Sequence, residues 1–490
     1  YFRVRQADEK IGKMRENIMI DFLNRLRTMS IQKNVKKSFE EIKKLQSGND
    51  CDFTFVPINK TENAEFCKKE NKYIVTILTN YDYQAFSKTI FDSKINIEGD
   101  VYNSRDALIT SISIGALPKI KYEITISNLE KGKKSKFYRL ILPLEKDLCF
   151  NVFTAYPFCF NCAGWSRELI KTYIAGREFH IFKLSDDSRK YLFIDCIKEI
   201  EYKEFYNQVV CILCALGVLT GYFVEKECFI LSSDEISFSK ILYVEFRSLR
   251  ESKYAPYKIL PDNPYSFFSS NVAHSKYYLM AHIFNDVFTK LVNKINLSLV
   301  FENSLFIFLE ALSYPLDTQP ACLSVVLEGV CNYINENNEK SVKPITDKKK
   351  ANELKKEMKS LLNKYSSYFS QDGRLIIEKR IDDINSPTNR AKFEKSISLL
   401  GIELTDYEKE ALLNRNTFLH CTTELKTEYI EIKQDSPEYV KLFFASQILV
   451  RLLYKIILKI IGYEGNIVNT LKYNEEFFES IKNEPMLIKI

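Results

Sequence analysis

The residues best suited to chemistry lie in one short run, Asn414-Arg415-Asn416-Thr417-Phe418-Leu419-His420. The chain has four histidines, and His420 is the one set in a helical pattern beside an arginine and an amide. On a helix, Asn416 and His420 share a face, and the long Arg415 side chain can reach the same patch. This set suits an RNA phosphodiester: arginine binds the phosphate, histidine moves protons to or from the 2′-hydroxyl or the leaving oxygen, and the amide orients them.

The segment Arg415-Asn416-Thr417-Phe418-Leu419-His420 resembles the Arg-polar-(x)3-His signature of HEPN-domain ribonucleases. The resemblance covers residues 300–485 and implies an all-α domain that forms a homodimer, in which two motifs build one composite site. It also implies RNA cleavage without a metal, as in toxins and effectors of bacterial anti-phage defence. One departure is Cys421, where members of the family often have glycine, and this bears on the local turn more than on the chemistry.

Four charged residues are candidates for supporting roles. Glu328 is a single acid on an otherwise apolar helix, and in a HEPN-like fold it either orients the motif residues or points to solvent. Arg451, Lys455 and Lys459 recur every four residues as a basic stripe. The stripe either guides an RNA backbone or keeps a hydrophobic helix soluble.

Length and composition are those of a globular protein. With 490 residues, 46% hydrophobic and 27% charged, two or three domains are expected. The net charge is +6, and residues 1–47 alone hold twelve Lys and Arg against six Asp and Glu. The remainder is balanced, so the overall charge is not that of a dedicated nucleic-acid binder, although a local basic surface stays open.

Cysteine usage favours a reducing compartment. Twelve cysteines are too sparse for a disulfide scaffold, and no signal-peptide pattern stands at the start, so a cytoplasmic protein with free thiols is expected. Two C-x-x-C pairs, Cys159/Cys162 and Cys211/Cys214, have zinc-like spacing. The second pair lies in an apolar helix, where cysteine acts as a small hydrophobe, so neither metal nor cofactor is expected.

The order of patterns predicts an α+β chain with three parts. Residues 1–47 read as a basic helical arm, residues 50–250 as a β-rich sandwich or barrel with a sensor or regulatory role, and residues 265–490 as an all-α HEPN-like ribonuclease domain. The charged run Glu130–Lys134 predicts a hairpin turn. Thr405, followed three residues later by Glu408, predicts the start of the helix that leads into the motif.

The most membrane-like stretch is Leu442–Ile461. Its basic residues at four-residue spacing predict an amphipathic helix rather than a membrane span. No membrane partner is therefore expected.

These observations favour a metal-independent endoribonuclease with an RNA substrate, a homodimeric state and, by analogy, a phage-derived trigger or an antitoxin partner. Two alternatives remain open at this point. One is a non-catalytic helical dimerisation, scaffold or RNA-binding protein, and the other is a metal-dependent nuclease.

Overall fold

The structure, a computed structural model, describes most of the chain. The described residues are 31–46, 49–87, 89–114, 119–160, 164–186, 189–256, 258–260, 281–338, 343–413, 438–477, 481 and 483–490. They fall into two compact units: unit 1 holds those up to Tyr254 together with His282–Asn296, and unit 2 holds the others. Helices and strands both contribute heavily, so the chain is α+β.

Unit 1 is built mainly of strands. They are β1 Ile31–Lys33, β2 Asn49–Phe55, β3 Lys60–Lys69, β4 Lys72–Thr79, β5 Ile90–Ile97, β6 Asp100–Ile114, β7 Ile120–Ile126, β8 Asn128–Gly132, β9 Phe137–Leu144, β10 Tyr156–Phe160, β11 Gly164–Ile174, β12 Arg177–Asp186, β13 Arg189–Cys196, β14 Tyr222–Phe223, β15 Glu227–Ser233, β16 Tyr243–Ser248 and β17 Lys253–Tyr254. The helices are α1 Lys36–Gln46, α2 Tyr202–Thr220 and α3 Asn285–Leu297.

Six of these strands close into an antiparallel barrel. Around it the order is β2-β3-β4-β7-β6-β5, and β5 pairs back to β2. Alternate residues point inward, and large side chains such as Phe53, Val75, Ile95 and Ile124 fill the interior completely shielded from solvent. Of the two predicted alternatives, a sandwich or a barrel, the barrel is thus confirmed for these six strands.

A second sheet continues from the barrel in the order β8-β16-β15-β9-β13-β12-β11-β10, with β1 parallel to β10 at its far edge. One face packs against α2, where Phe205 stacks on Tyr138. The other face packs against α1, where Phe39 meets Tyr191 and Phe193 edge to face. Both faces are covered, so these strands are apolar on both sides.

The predicted hairpin at Glu130–Lys134 is wrong. Strand β8 pairs with β16, whereas the following strand β9 pairs with β13 and β15. Gly132 has φ +84°, and a Cβ there would lie 2.0 Å from the carbonyl oxygen of Leu242. The glycine permits this close approach between β8 and the chain leading into β16, and it does not serve a two-strand turn.

The predicted N-terminal helix is confirmed over Lys36–Gln46 and wrong over residues 31–33. Residues 31–33 form β1, and the described helix α1 begins only at Lys36. Both elements belong to unit 1 with the strands.

Unit 2 is mainly helical. Its helices are α4 Leu299–Ala311, α5 Gln319–Glu336, α6 Lys348–Lys364, α7 Gln371–Asp382, α8 Asn389–Leu399, α9 Asp406–Leu413 and α10 Glu438–Ile460; it also contains β18 Asn466–Val468 and β19 Leu487–Lys489. Helix α5 is central and packs against α4, α8 and α10. Tyr333 of α5 stacks on Phe301 of α4, and a Cβ at Gly329 would meet Ser304 Oγ at 2.2 Å, so the glycine lets α4 and α5 approach closely.

Helix α10 covers most of the predicted apolar stretch and is largely buried in unit 2. Within the described ranges, every helix is too short or too polar to span a bilayer.

Candidate functional site

The motif itself lies beyond the described part of the chain. Helix α9 is described as far as Leu413, and description resumes at α10. Arg415, Asn416 and His420 therefore lie outside the described residues, and their roles stay predictions. What the structure supplies is the helices on either side of the motif and the contacts that join them.

The start of α9 follows the predicted capping box. Glu408 Oε2 accepts a hydrogen bond from the Thr405 amide at 2.9 Å, and Thr405 Oγ1 accepts one from the Glu408 amide at 3.4 Å. Two amides at the helix start are thereby satisfied. The prediction that Thr405 and Glu408 begin this helix is confirmed.

Glu408 has a second role that the sequence analysis missed. Its carboxylate is fully buried and binds two cations of α10: Arg451 Nε donates at 3.1 Å, and Lys455 Nζ donates at 2.8 and 2.9 Å. Arg451 and Lys455 are four residues apart on one helix, so both reach the same carboxylate. We call Glu408, Arg451 and Lys455 the α9–α10 cluster.

A second carboxylate balances this cluster. Glu484 Oε2 accepts from Arg451 Nη1 at 3.0 Å and from Asn469 Nδ2 at 2.7 Å, while Asn469 Oδ1 accepts from Arg451 at 3.1 Å. The Tyr407 hydroxyl accepts from Arg451 and donates to Glu484. Two cations thus face two carboxylates, and the Arg451 guanidinium is bonded on all three nitrogens.

The cluster keeps its ionised form. Burial alone would raise the pKa of the Glu408 carboxyl, but Arg451 and Lys455 outweigh it and hold that pKa below its usual value. Burial raises the pKa of the Tyr407 phenol, so its hydroxyl stays protonated and able to donate.

The predicted basic stripe has a different role from RNA contact. Arg451 is 0% exposed and Lys455 is 8% exposed, and both form ion pairs with Glu408. A side chain enclosed in this way does not reach an RNA backbone, so these two residues join α9 to α10 instead. Lys459, one turn further on, is half-buried. The sequence pattern was correct, but the carboxylate that receives the two cations lies on another helix.

Glu328 lies half-buried on α5, the central helix of unit 2. It is followed by Gly329, where α5 approaches α4. Since the motif is outside the described residues, an orienting role for Glu328 remains a prediction.

Unit 1 contains a comparable buried cluster that sequence patterns did not reveal. Asp195 accepts from Arg139 Nε at 2.7 Å, from Arg139 Nη2 at 2.9 Å and from Lys33 Nζ at 2.8 Å. Arg139 also donates to the carbonyl oxygen of Asn34 at 2.7 Å and to Ser38 Oγ at 3.0 Å. The arginine therefore holds the start of α1 onto the sheet.

His180 stands beside this cluster in a row across neighbouring strands, paired with Lys171 on one side and Asp195 on the other. Its Nε2 lies 2.6 Å from Glu178 Oε1, and its buried Nδ1 has no hydrogen-bond partner among the described residues. Burial and the nearby Lys33 lower the pKa of His180 to about 4. The ring is neutral at pH 7 and only 4% exposed.

Cys211, Cys214 and His282 belong to unit 1. Cys211 and Cys214 are buried in α2, and Cys162 lies outside the described residues. His282 is buried within hydrogen-bond distance of Thr154 Oγ1, at 2.9 Å. In the described part of the chain, no group of three or more His, Cys, Asp or Glu side chains is arranged to hold a metal ion.

Comparison of the chain with protein-family models, curated proteins and solved structures finds no match.

Proposed function

We propose that this chain is a metal-independent endoribonuclease of the HEPN type, acting as a toxin or effector in bacterial anti-phage defence. The observation that carries the proposal is the Arg415-Asn416-(x)3-His420 spacing, which follows directly on helix α9. The capped start of α9 and the α9–α10 cluster support it, because they give the motif two firmly joined helices, one on each side along the chain.

In the proposed reaction, the RNA 2′-oxygen forms a bond to phosphorus while the bond from phosphorus to the 5′-oxygen breaks. His420 takes the proton from the 2′-hydroxyl or gives one to the departing oxygen, and Arg415 stabilises the charge that develops on the phosphate. Asn416 orients these groups. The products are a 2′,3′-cyclic phosphate and a free 5′-hydroxyl.

One histidine serves only one of these two proton transfers at a time. The proposal therefore includes a homodimer in which a second motif completes the site, as the resemblance implies. The β-rich unit would act as a sensor of a phage-derived trigger, or as the part bound by an antitoxin.

The test uses a labelled RNA oligonucleotide beside its 2′-deoxy counterpart. Wild-type protein should cut only the RNA and leave a cyclic phosphate, with the same rate in EDTA. His420→Ala should lose about 10²–10⁴-fold in rate, and Arg415→Lys should also be impaired because lysine lacks the planar fork. Arg390→Lys is the matched control, since Arg390 forms an ion pair with its helical neighbour Glu394 on an exposed surface.

Either of two results would remove the proposal: cleavage of the 2′-deoxy strand, or full activity of a folded His420→Ala variant. Light scattering gives a separate check on the dimer, because a monomer at micromolar concentration that still cuts RNA would contradict the composite site.

The alternative function is a non-catalytic helical scaffold or RNA-binding protein. Leu361 and Leu375, on α6 and α7, are more than half exposed, and such apolar residues favour helical association. RNA left intact by wild-type protein that nevertheless dimerises would favour this alternative.

A further inference from the structure

Helix α6 carries the densest positive charge of any described helix. Its 17 residues, Lys348–Lys364, include seven lysines and two glutamates, an excess of five positive charges. Only Ala351 and Leu362 of this helix are buried. The helix therefore presents most of its charge to solvent.

The lysines are not spread evenly around the helix. Lys355 and Lys356 lie seven residues after Lys348 and Lys349, and Lys359 lies about one turn after Lys355. At about 100° per residue, these five lysines fall in one sector of about 120°. We call this sector the lysine face.

The two glutamates of α6 lie outside this sector. Glu353 and Glu357 project beside it, together with Lys350 and Lys364. The helix itself therefore places only positive charge on the lysine face.

Among the described residues, an acidic partner for the lysine face lies at only one of its edges. Lys355 donates to the backbone carbonyl of Asp382, and Lys359 Nζ lies 2.7 Å from the Asp382 carboxylate. Lys348, Lys349 and Lys356 are exposed and form no ion pair with any described residue. Three cations thus remain available, and the other two are held in place beside them.

Aromatic rings follow directly on the C-terminal end of the helix. Tyr365 and Tyr368 are 52% and 82% exposed, and their ring centroids are 6.4 Å apart. Proteins hold single-stranded nucleic acid by combining cations for the phosphates with exposed rings on which the bases stack, and both kinds of side chain are found on this helix and just beyond its end.

We propose that the lysine face of α6 binds the phosphate backbone of single-stranded RNA, with Tyr365 and Tyr368 stacking on its bases. The surface deepens the proposed ribonuclease function, on which it rests for the choice of RNA. Basic charge for RNA then comes from α6 rather than from Arg451 and Lys455, which are enclosed.

The test separates binding from cleavage by working in full-length His420→Ala protein. Affinity for a labelled single-stranded RNA is measured by fluorescence anisotropy across a series of salt concentrations. The double variant Lys349→Gln/Lys356→Gln removes two free cations of the lysine face. Its control is Lys350→Gln/Lys364→Gln, which makes the same charge change on the same helix outside that face.

We expect the lysine-face variant to lose roughly tenfold or more in affinity at 0.1 M salt, with the slope of log K against log salt shallower by about 1.4, since each phosphate contact on a single strand contributes about 0.7. The control should stay within about twofold of the parent. Tyr368→Ala should weaken binding with little change in slope, because stacking is not a charge effect.

Equal losses in the two lysine variants would overturn the proposal, because they would reduce the effect to net charge. Unchanged binding in both, or binding to polyglutamate or anionic vesicles in preference to RNA, would also overturn it. Cleavage is then compared in the His420 background. Weak cleavage that recovers at high RNA concentration in the lysine-face variant supports the surface, whereas RNA bound through this face but never cut would reject the ribonuclease and leave the surface standing.

Discussion

The two units bury the same kind of ionic group in different ways. In unit 1, Asp195 lies between Arg139 and Lys33, which come from strands far apart in sequence. In unit 2, Glu408 lies between an arginine and a lysine that are four residues apart on one helix. The first group has one carboxylate for two cations, whereas the second is balanced by Glu484.

Because of this difference, the two buried ionic groups should respond differently to the loss of one partner. A buried charge is costly once its partner is lost, and the cost falls when another opposite charge remains nearby. Among described residues, Arg139 and Lys33 form ion pairs only with Asp195. Arg451 retains Glu484 when Glu408 is neutralised. The sheet cluster should therefore be the more vulnerable one.

The largest effect is expected for Asp195→Asn. This change leaves a buried arginine and a buried lysine without a carboxylate and should lower the free energy of unfolding by about 3–5 kcal/mol. Trp165, the only tryptophan of the chain, lies in β11 of the same sheet, so its fluorescence during urea denaturation measures the effect. Asp186→Asn, at the more exposed end of the sheet, is the control. A loss below 1 kcal/mol would mean that Lys33 and Arg139 find other partners.

The next largest effect is a loss of folding stability at acidic pH. His180 has a pKa of about 4 in the folded chain against an ordinary 6.5, because of burial and Lys33. A lowered histidine pKa means that the unfolded state takes up the proton first. The stability that His180 contributes should be constant above pH 6.5 and fall between pH 6.5 and 4, by up to about 3 kcal/mol.

The same sheet contains groups that titrate at lower pH. Glu178, held by His180 and Lys171 against the cost of its burial, has a pKa of about 2, so its contribution is lost only below about pH 4.5. His180→Gln should therefore flatten the upper window, and it should narrow the lower one because Glu178 loses one of the partners that lower its pKa. Trp165 fluorescence at each pH gives the measurement, and an unchanged slope between pH 6.5 and 4.5 in the variant would show that another group is responsible.

A smaller effect is expected for Glu408→Gln. The amide keeps hydrogen-bonding atoms, and Arg451 keeps Glu484, but Lys455 loses its carboxylate. We expect a loss of about 2–3 kcal/mol, read from circular dichroism at 222 nm during urea denaturation. Glu394→Gln, whose carboxylate pairs with exposed Arg390, is the control. A cost equal to that of Asp195→Asn would contradict the balancing role of Glu484.

The smallest effect is expected at the cap. Thr405→Ala removes the side-chain acceptor for the Glu408 amide and should cost about 1 kcal/mol, whereas Thr405→Ser should be close to neutral. Thermal unfolding followed by circular dichroism compares the two. If both variants lose the same amount, the hydroxyl is not the stabilising group.

The sequence predicted the elements whose cause is local. Helix α2 forms where an apolar helix was predicted, because its apolar run ends at Gly221, which adopts φ +67° and closes the helix. The capping box at Thr405 depends on two residues three apart, so it too was visible. Helix α6 begins at Lys348 because Asp347 caps it through the amides of Lys349 and Lys350, which is again a local cause.

Features whose cause is distant could not be predicted. Strand β8 ends in residues that are typical of a turn, but its partner, strand β16, lies more than 100 residues later in the chain. The buried position of Lys33 could not be predicted because its partner Asp195 lies 162 residues away in sequence. The stripe at Arg451 and Lys455 was recognised as a pattern, and its meaning was open until the carboxylate of Glu408 was located. Charge spacing on one helix thus predicts a shared partner but not its position.

The two clusters also differ in when they can form during synthesis. Both cations of Asp195 precede it in the chain, so the sheet group is complete as soon as the carboxylate is made. Glu408 precedes Arg451 by 43 residues, and Tyr407 precedes Glu484 by 77. At about 5–20 residues per second, the second group waits roughly 4–15 s for its last member. The motif is therefore translated well before its flanking helices can be joined, and a nascent chain carries the proposed catalytic residues before the α9–α10 cluster exists.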